Sequence, residues 1–380
     1  MMKKTIIKRF IAMLICLSLL VFIVAVSMGS KPYVAGAGNG TNAEIKTVSD
    51  VKKVIDTIDD INEKVSFNKA NPSAPPSAVT GGTESADVYS SFTFKETTAL
   101  SQSYSSNQSY NNAKSNSSSN ISFNRELTLY GTQTAIAYSA KGEITSSAYS
   151  HITQDRLTTT IITEESAVQN VSFEMDFYIT QTKTFFRVNK WAYDYDYKRI
   201  YKYWDNTDHA NDEEEETVSG KNSALSIFEK LVGPWWDATN VPEIATALHN
   251  VNTQNSSTLK TLGDTIVYAM ENPKANCFEK DGDRYNLGKD YLFYALGLTN
   301  QYADYTNGSV SFDMSDSVSP SIKMDLTCDH NTASGDNDAY LIYHLYDDMK
   351  FSNINNTIIK EVDTEIKDLK AWMIEGDSNV

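Results

Sequence analysis

The chain has 380 residues, of which 33 are Lys or Arg and 49 are Asp or Glu, so its formal net charge is −16. Hydrophobic residues make up 41% of the sequence, which is enough to bury a core and argues against a globally disordered protein. The acidic balance argues against nucleic acids and anionic membrane surfaces as main partners, because both need a basic footprint.

The N-terminus has the order of a secretory signal over residues 1–38. A basic leader precedes an apolar run over residues 11–28, and residues 35–37 (Ala-Gly-Ala) fit a cleavage site, with residues 29–30 as a second possibility. The alternative is an uncleaved anchor, because the apolar run is at the short edge of a membrane span. Both interpretations place the body of the protein outside the cytoplasm, in the extracellular space or at the cell surface. The membrane is then a partner only through an uncleaved N-terminal segment.

An N-terminal helical unit is expected over residues 39–67 and a linker over residues 68–87. Apolar residues recur in steps of three and four over residues 48–65, which predicts an amphipathic helix that packs one stripe on another element. Thr47 or Ser49 is placed to cap its start. The linker is rich in Pro, Gly and small polar residues.

Residues 88–204 are typical of β-strands, and no proline interrupts them. The clearest strand covers residues 171–180, where apolar and polar residues alternate strictly, so that one face is buried and the other solvated. The Ser- and Asn-rich segment 101–122 is interpreted as a loop or as the polar tip of a hairpin. Such runs, joined by short polar turns, predict an antiparallel meander.

Helical patterns follow, and strands return after them. Residues from about 220 to 300 contain four helical segments, which together predict a helical insert. Strands resume near residue 310, and residues 359–380 predict a C-terminal helix and tail. No strand–helix alternation supports a parallel sheet. The order therefore predicts an α+β fold, in which one antiparallel sheet over residues 88–358 packs on the helical insert, with N- and C-terminal helices.

Two cysteines, Cys277 and Cys328, remain after the expected export. Two cysteines in an oxidising compartment can form one disulfide, and the alternating run 322–328 puts Cys328 on an inward strand face. We therefore expect a disulfide between Cys277 and Cys328, with two buried free thiols as the alternative. No Cys/His spacing indicates zinc, and neither a metal nor a cofactor is predicted.

The second half of the chain carries motifs of a known family. They are the hairpin GSVSFDMSDSVSPSIKMDL (308–326) and the strand YLIYHLYDDMKFSNINNTI (340–358), whose ending is similar to an f-s-x-x-N-x-x-I close. In these motifs the chain resembles extracellular half-barrel proteins of Gram-positive bacteria related to the LolA/LppX lipoprotein-carrier fold. The resemblance implies a curved antiparallel sheet that wraps over helices around an apolar lumen, and in some members the binding of lipids or other hydrophobic molecules. The chain departs from the family in lacking a lipobox, in its Pro-linked first helix and in its Ser/Asn insert.

The leading interpretation is a non-enzymatic exported protein that binds a lipid or another hydrophobic ligand between a curved sheet and helices. The ligand would contact the inward faces of the best strands, although plain core is the alternative for each residue taken singly. The eight residues expected to contact the ligand are Phe173, Met175, Phe177, Ile179, Phe312, Met314, Met324 and Leu326.

The alternative function is a cell-surface interaction module that contacts a protein or a glycan through exposed aromatic rows. Aromatic rings stack on the apolar faces of ligands. Such rings are dense in residues 195–204 and occur again in the dipeptide 235–236 of the expected insert. No catalytic motif appears and the five histidines are scattered, so an enzyme is not predicted. An uncharacterised hydrolase ranks third, because a Ser/His/Asp triad can be assembled from distant positions. The aromatic residues are Tyr195, Tyr197, Tyr201, Tyr203, Trp204, Trp235 and Trp236.

Overall fold

A computed structural model of the chain describes most residues after position 88 and part of the segment before it. Residues 1–34 of the expected signal, the expected linker, the predicted helix near residues 257–270 and Cys277 lie outside the described residues. The described residues are 35–37, 41–47, 50, 52–54, 56–57, 60–61, 65, 89–110, 112–155, 159–205, 211–219, 226–245, 278–295, 300–334 and 337–376.

Strands dominate the described part of the chain. Five of them contain 20 to 22 residues, so each is about 65–75 Å long at the usual rise per residue. Their sequences are rich in β-branched, aromatic and hydroxyl-bearing residues, which suit a pleated surface. The strands are β1 (Ala35–Ala37), β2 (Ser91–Tyr110), β3 (Ala113–Thr132), β4 (Ala135–Asp155), β5 (Thr159–Thr180), β6 (Thr184–Asp205), β7 (Asn211–Ser219), β8 (Trp235–Asp237), β9 (Phe278–Asp281), β10 (Arg284–Leu287), β11 (Thr306–Asp313), β12 (Ser321–Ser334), β13 (Asn337–Ser352), β14 (Thr357–Ile359) and β15 (Ile366–Asp368).

Thirteen of these strands form one sheet. Twelve of them follow the order β15-β8-β6-β5-β4-β3-β2-β13-β12-β11-β10-β9, and β7 pairs with residues 196–204 at the C-terminal end of β6. All neighbours are antiparallel except β15 and β8. The closing strand β13 pairs with β2, so the two halves of the chain complete one sheet, as the sequence predicted. A small second sheet joins β1 to β14.

The predicted α+β class is wrong, because the described chain is nearly all β. The helical insert over residues 220–300 is wrong where it is described, since β8, β9 and β10 lie there and the helical pieces are short. Two physical reasons explain the difference. The unpaired backbone groups at a sheet edge favour pairing with an extended segment nearby. In addition, a short apolar pattern does not distinguish a strand from a helix. Residues 242–245 are helical as well. The other helical elements described after residue 88 are 3₁₀ turns at Ser226–Leu231, Lys289–Tyr291 and Asn300–Tyr305 and α-helices at Leu292–Ala295 and Leu369–Gly376.

The C-terminal helix is shorter than predicted and begins only at Leu369. Before it the chain is extended through β14 and β15, and β15 adds to the sheet beside β8. The apolar residues Ile359, Val362 and Ile366, which suggested a helical stripe, pack instead against one face of the sheet. Extended chain satisfies both the sheet edge and the apolar residues, which explains the difference.

The N-terminal segment agrees with the sequence where it is described. The described residues between 50 and 61 are helical, and Thr47 caps this helix as predicted. The backbone N–H of Asp50 donates to Thr47 Oγ1 at 3.2 Å, and the N–H of Thr47 donates back to Asp50 Oδ2 at 3.0 Å. Val54 and Ile61 are fully buried against the sheet, so the apolar stripe packs on another element.

Side chains on the long strands alternate between two faces. We call the face that carries Phe94, Leu129 and Phe177 the inner face, and the opposite one the outer face. The inner face holds two large apolar clusters. The β5 cluster is centred on Phe173, Phe186 and Trp191, and the β12 cluster on Phe312, Ile322 and Phe351. No helix in the described part of the chain is both long and apolar enough to cross a membrane.

Candidate functional site

The inner face divides along the strands into two halves. We call the half near the β3–β4 and β5–β6 turns the proximal half, and the half near the β2–β3 turn the distal half. The ladder row Tyr193–Val171–Ile144–Phe123–Leu100, which crosses β6 to β2, is the last row of the proximal half. All five side chains of that row are buried.

The eight residues expected to contact a hydrophobic ligand all lie buried in the proximal half, but not together. The four residues of β5 belong to the β5 cluster, and the other four belong to the β12 cluster. Phe177 stacks on Tyr138, with ring centroids 4.4 Å apart, and Tyr138 touches both clusters. The structure therefore buries all eight residues and packs them against other side chains, while their contact with a ligand stays a prediction.

A row of charged side chains separates the two clusters. Arg125 pairs with Glu96, and Thr98 Oγ1 donates to Asp347 Oδ1 at 3.2 Å. Arg125 and Asp347 are each only 6% exposed. Burial raises the pKa of Asp347 well above its ordinary value, and the charge of Glu96 raises it further. Burial also raises the pKa of Glu96, although Arg125 opposes that shift.

This charged row, with two carboxyl groups for one guanidinium, was missed from the sequence. Its signal was available, because Glu96, Arg125 and Asp347 occupy positions where the alternation of their strands calls for apolar residues. The Nε atom of Arg125 is buried and has no hydrogen-bond partner among the described residues. The row is closed to solvent and therefore to a ligand. Its three ionisable side chains can retain a proton and a buried ion pair.

The distal half of the inner face carries the tyrosines of β6. Tyr193 is buried and stacks on Tyr195, with ring centroids 6.4 Å apart and planes 9° apart. Tyr195, Tyr197, Tyr201 and Tyr203 are all half-buried. Since they are odd-numbered residues of one strand, they share a face and form a single partly exposed row along β6.

The ladders bring a second pair of tyrosines to the same face. Across the strands from Tyr197 come Ala167, Ala148, Ser119 and then Tyr104. Three short side chains thus lie between two half-buried rings. The preceding row begins at Tyr195 and ends at Tyr343, and between these two rings lie Gln169, Ser146, Ile121 and Gln102. We call these two rows together the tyrosine-bordered strip.

The floor of this strip was missed from the sequence, because segment 101–122 was interpreted as a loop or a hairpin tip. It is the tip of a hairpin whose two arms stay paired up to Tyr110 and Ala113. The loop interpretation is therefore wrong, and the Ser- and Asn-rich residues are strand residues. An alternation test on this segment could have found the strip, because Tyr104 and Ile121 fall on the face of Phe94 and Leu129.

Two other predicted aromatic residues are not exposed. Trp235 and Trp236 lie in β8, each 3% exposed. Trp236 packs in the β5 cluster, while Trp235 lies on the outer face beneath the guanidinium of Arg187 at 5.3 Å. The side chain of Trp204 lies outside the described part of the structure.

The expected disulfide is wrong. Cys328 is a free cysteine, fully buried on the inner face of β12. Its strand neighbours in the ladder are Thr306 and Tyr343. Burial raises the pKa of the Cys328 thiol, and the hydrogen bond with Thr306 opposes this. The alternation of residues 322–328 indicates only that Cys328 points inward. A free cysteine, which behaves as a small apolar residue, occupies such a position as readily as a disulfide-bonded one.

A hydroxyl–imidazole–carboxylate arrangement lies on the outer face. His151 Nε2 is 3.0 Å from Thr153 Oγ1, and His151 Nδ1 is 3.0 Å from Glu164 Oε1. A hydrolase also needs N–H donors for an oxyanion. β4 is paired on both sides along this stretch, so its backbone N–H groups belong to ladders. The arrangement does not extend to an oxyanion hole on this strand.

No family model matches the chain, and no curated protein matches it either. Solved structures that resemble the chain at 7–8% identity include OccK7 of Pseudomonas aeruginosa. That alignment covers 68% of this chain and 98% of the OccK7 chain, with a TM-score of 0.16. The translocator domain of the autotransporter NalP of Neisseria meningitidis covers 67% and 87% at 0.11, and OpdL of P. aeruginosa covers 68% and 99% at 0.11. Such low scores carry no conclusion about this chain. The resemblance to the LolA/LppX fold stays a prediction.

Proposed function

We propose that the protein is an exported, non-enzymatic binding protein that contacts an extracellular protein or glycan through the distal half of its inner face. One observation carries the proposal, namely the row of half-buried tyrosines on β6 that continues the apolar face beyond the end of the core. Half-buried rings offer apolar area at small entropic cost, which suits a contact surface. Export is supported by the order of the N-terminal residues alone.

A hydrophobic ligand on the proximal half is the second candidate. It is favoured by the apolar face that crosses β5 and β4, where Tyr138 touches both clusters. Two observations weaken this candidate. The helical insert that was expected to cover the ligand is not found in the described part of the chain, and the eight residues are already packed against other side chains. A lipid extracted with the wild-type chain and absent from a Phe177→Asp variant, as detected by mass spectrometry, would favour this candidate.

Sedimentation with intact bacterial cells and isolated cell walls tests the first proposal. The fluorescently labelled chain, exported from a bacterial host, should co-sediment with one of these surfaces. The double variant Tyr197→Ala/Tyr201→Ala should lose most of this binding. Tyr149→Ala is the matched control, because Tyr149 is 41% exposed on the outer face of the same sheet. Equal binding of both variants, or no binding by the wild type, would overturn the proposal.

A further inference from the structure

We infer that the tyrosine-bordered strip binds a glycan chain that carries no acidic groups. The inference rests on the proposed function and names the class of its partner. The strip is built for a ligand with apolar faces and many hydroxyl groups, and the alternating C–H faces and hydroxyl edges of a sugar chain meet that description. Its walls, floor and charge each support this ligand.

The walls of the strip are aromatic and well separated. Tyr197 and Tyr104 are four strand spacings apart, which is about 19 Å at the usual distance between strands. Between them Ala167, Ala148 and Ser119 rise only one or two atoms above the backbone. A protein partner would be anchored by inserting side chains into a deep, desolvated pocket. A shallow floor between half-buried rings instead suits an elongated ligand that stacks its flat faces on the rings.

The floor offers neutral hydrogen-bonding groups beside the rings. Gln169 is the ladder neighbour of Tyr195, and Gln102 is the neighbour of Tyr343. One row further out, the hydroxyl groups of Ser106 and Ser117 lie 2.9 Å apart. Amide and hydroxyl groups both donate and accept, so they can pair with sugar hydroxyls in either direction.

The charge of the region argues against an acidic ligand. Among side chains that the structure describes on the distal inner face, the charged ones are Arg199 and Glu165, and they pair with each other at 3.2 Å. Beyond the tyrosine row, the acidic strand β7 pairs with β6, with Tyr201 opposite Glu214 and Tyr203 opposite Asp212 in the ladder. The whole chain has a net charge of −16. A polyanionic glycan would therefore be repelled, while an uncharged or amine-bearing one would not.

Affinity electrophoresis in gels that contain a soluble polysaccharide tests the inference with the exported wild-type chain. The neutral probes are glycol chitin, hydroxyethyl cellulose, mannan and a mixed-linkage β-glucan, and the acidic probe is polygalacturonate. At least one neutral probe should retard the protein, and polygalacturonate should not. Tyr197→Ala and Tyr104→Ala, one from each wall, should each weaken that binding about tenfold, the scale of one stacked ring.

Two controls separate stacking from folding. Tyr197→Phe keeps the ring and should bind within about threefold of wild type, and Tyr149→Ala on the outer face should bind as wild type does. Retardation by no neutral probe, equal retardation by polygalacturonate, or full binding by both alanine variants would overturn the inference.

Cell binding distinguishes a failure of this inference from a failure of the proposed function. If the labelled chain binds cells through Tyr197 and Tyr201 but periodate oxidation of the cell glycans leaves binding intact and protease treatment of the cells abolishes it, the partner is a protein. The proposed function would then stand and the glycan inference would fail. If the chain binds no cell surface, the proposed function itself fails.

Discussion

The proximal and distal halves of the long strands share one backbone ladder and differ in almost everything else. On β3 the proximal residues Phe123, Leu127 and Leu129 are buried on the inner face. The distal residues 113–122 of the same strand are exposed or half-buried throughout, although they are paired on both sides. Hydrogen-bonded pairing therefore continues far beyond the core. On β2 to β6 the burial of apolar side chains, which supplies most of the stability, stops at the row of Tyr193 and Leu100.

The difference teaches that the proximal half sets the register for the distal half. A slip of one residue would expose Phe123 and its neighbours, so the proximal register is strongly specified. The Ser- and Asn-rich distal residues lack such a preference, and they follow because they are covalently continuous with strands already aligned. Because the distal residues are not needed to form the core, the distal face can carry tyrosines and small residues for contact with a partner.

The largest effect should come from a charge placed in the proximal half. Phe177→Asp removes a packed ring and buries a carboxylate, so the free energy of unfolding should fall by more than the roughly 3–5 kcal/mol typical of losing a buried aromatic side chain. Urea denaturation measures this loss. Ser119→Asp, on the same face in the distal half, should change the stability by no more than about 0.5 kcal/mol. Similar losses for the two variants would contradict the division into halves.

A slightly smaller effect is expected within the charged row. Arg125→Met leaves Glu96 and Asp347 buried without their cation, and should lower the free energy of unfolding by about 3 kcal/mol in guanidinium denaturation. Replacing all three residues by apolar ones of similar size should restore most of the stability, because the two unpaired carboxyls are then gone. A loss below about 1 kcal/mol in the single variant would show that the row is more solvated than its burial indicates.

The smallest effect concerns pH. Burial, reinforced by Glu96, holds the pKa of Asp347 above its ordinary value of 3.8, so the native state keeps a proton that the unfolded state has released. This group therefore lowers the stability as the pH rises from 3.8 towards the native pKa. Asp347→Asn, which does not titrate, should be more stable than wild type at pH 8 by on the order of 1 kcal/mol.

The pH prediction is checked by urea denaturation of both proteins between pH 4 and pH 8. Asp313 contributes the opposite trend, since hydrogen bonds from Ser315 and Arg284 lower its pKa and its contribution is lost as the pH falls. Asp313 is present in both proteins, so the difference between them reports on Asp347 together with Glu96, with which it interacts. A difference that is constant with pH, or that favours the wild type more as the pH rises, would refute the assignment.

Much of the fold could be predicted wherever alternation was strict. Residues 171–180 form part of β5 with the expected faces, and all eight residues proposed to contact a ligand point inward. The prediction was wrong where a short apolar pattern was assigned to a helix, as at Ile366, because a sheet edge elsewhere in the molecule accepted that segment as a strand. A local pattern carries no information about a distant edge.

The candidate site was predicted only in part, for the same reason. The sequence indicated the tyrosines of β6, yet Tyr104 and Ser119 belonged to a segment interpreted as a loop or the polar tip of a hairpin, for which no inward face was predicted. The row Glu96, Arg125 and Asp347 comes from three strands, and two of those strands are separated by more than 200 residues along the chain. Neighbours across a sheet depend on strand order and register, which a single sequence does not reveal.

The sequence by itself determined which residues of each strand share a face and that the two halves of the chain form one antiparallel sheet, and it narrowed the cap of the N-terminal helix to Thr47 or Ser49. Only the tertiary structure decided that the inward residues form two clusters, that a charged row lies between them and that Cys328 stays a free thiol. It also decided that the polar ends of β2 to β6 extend the sheet into a surface bordered by tyrosines. The physical reason is that side-chain alternation is a local property of the chain, whereas burial and ladder neighbours arise only when distant strands pair.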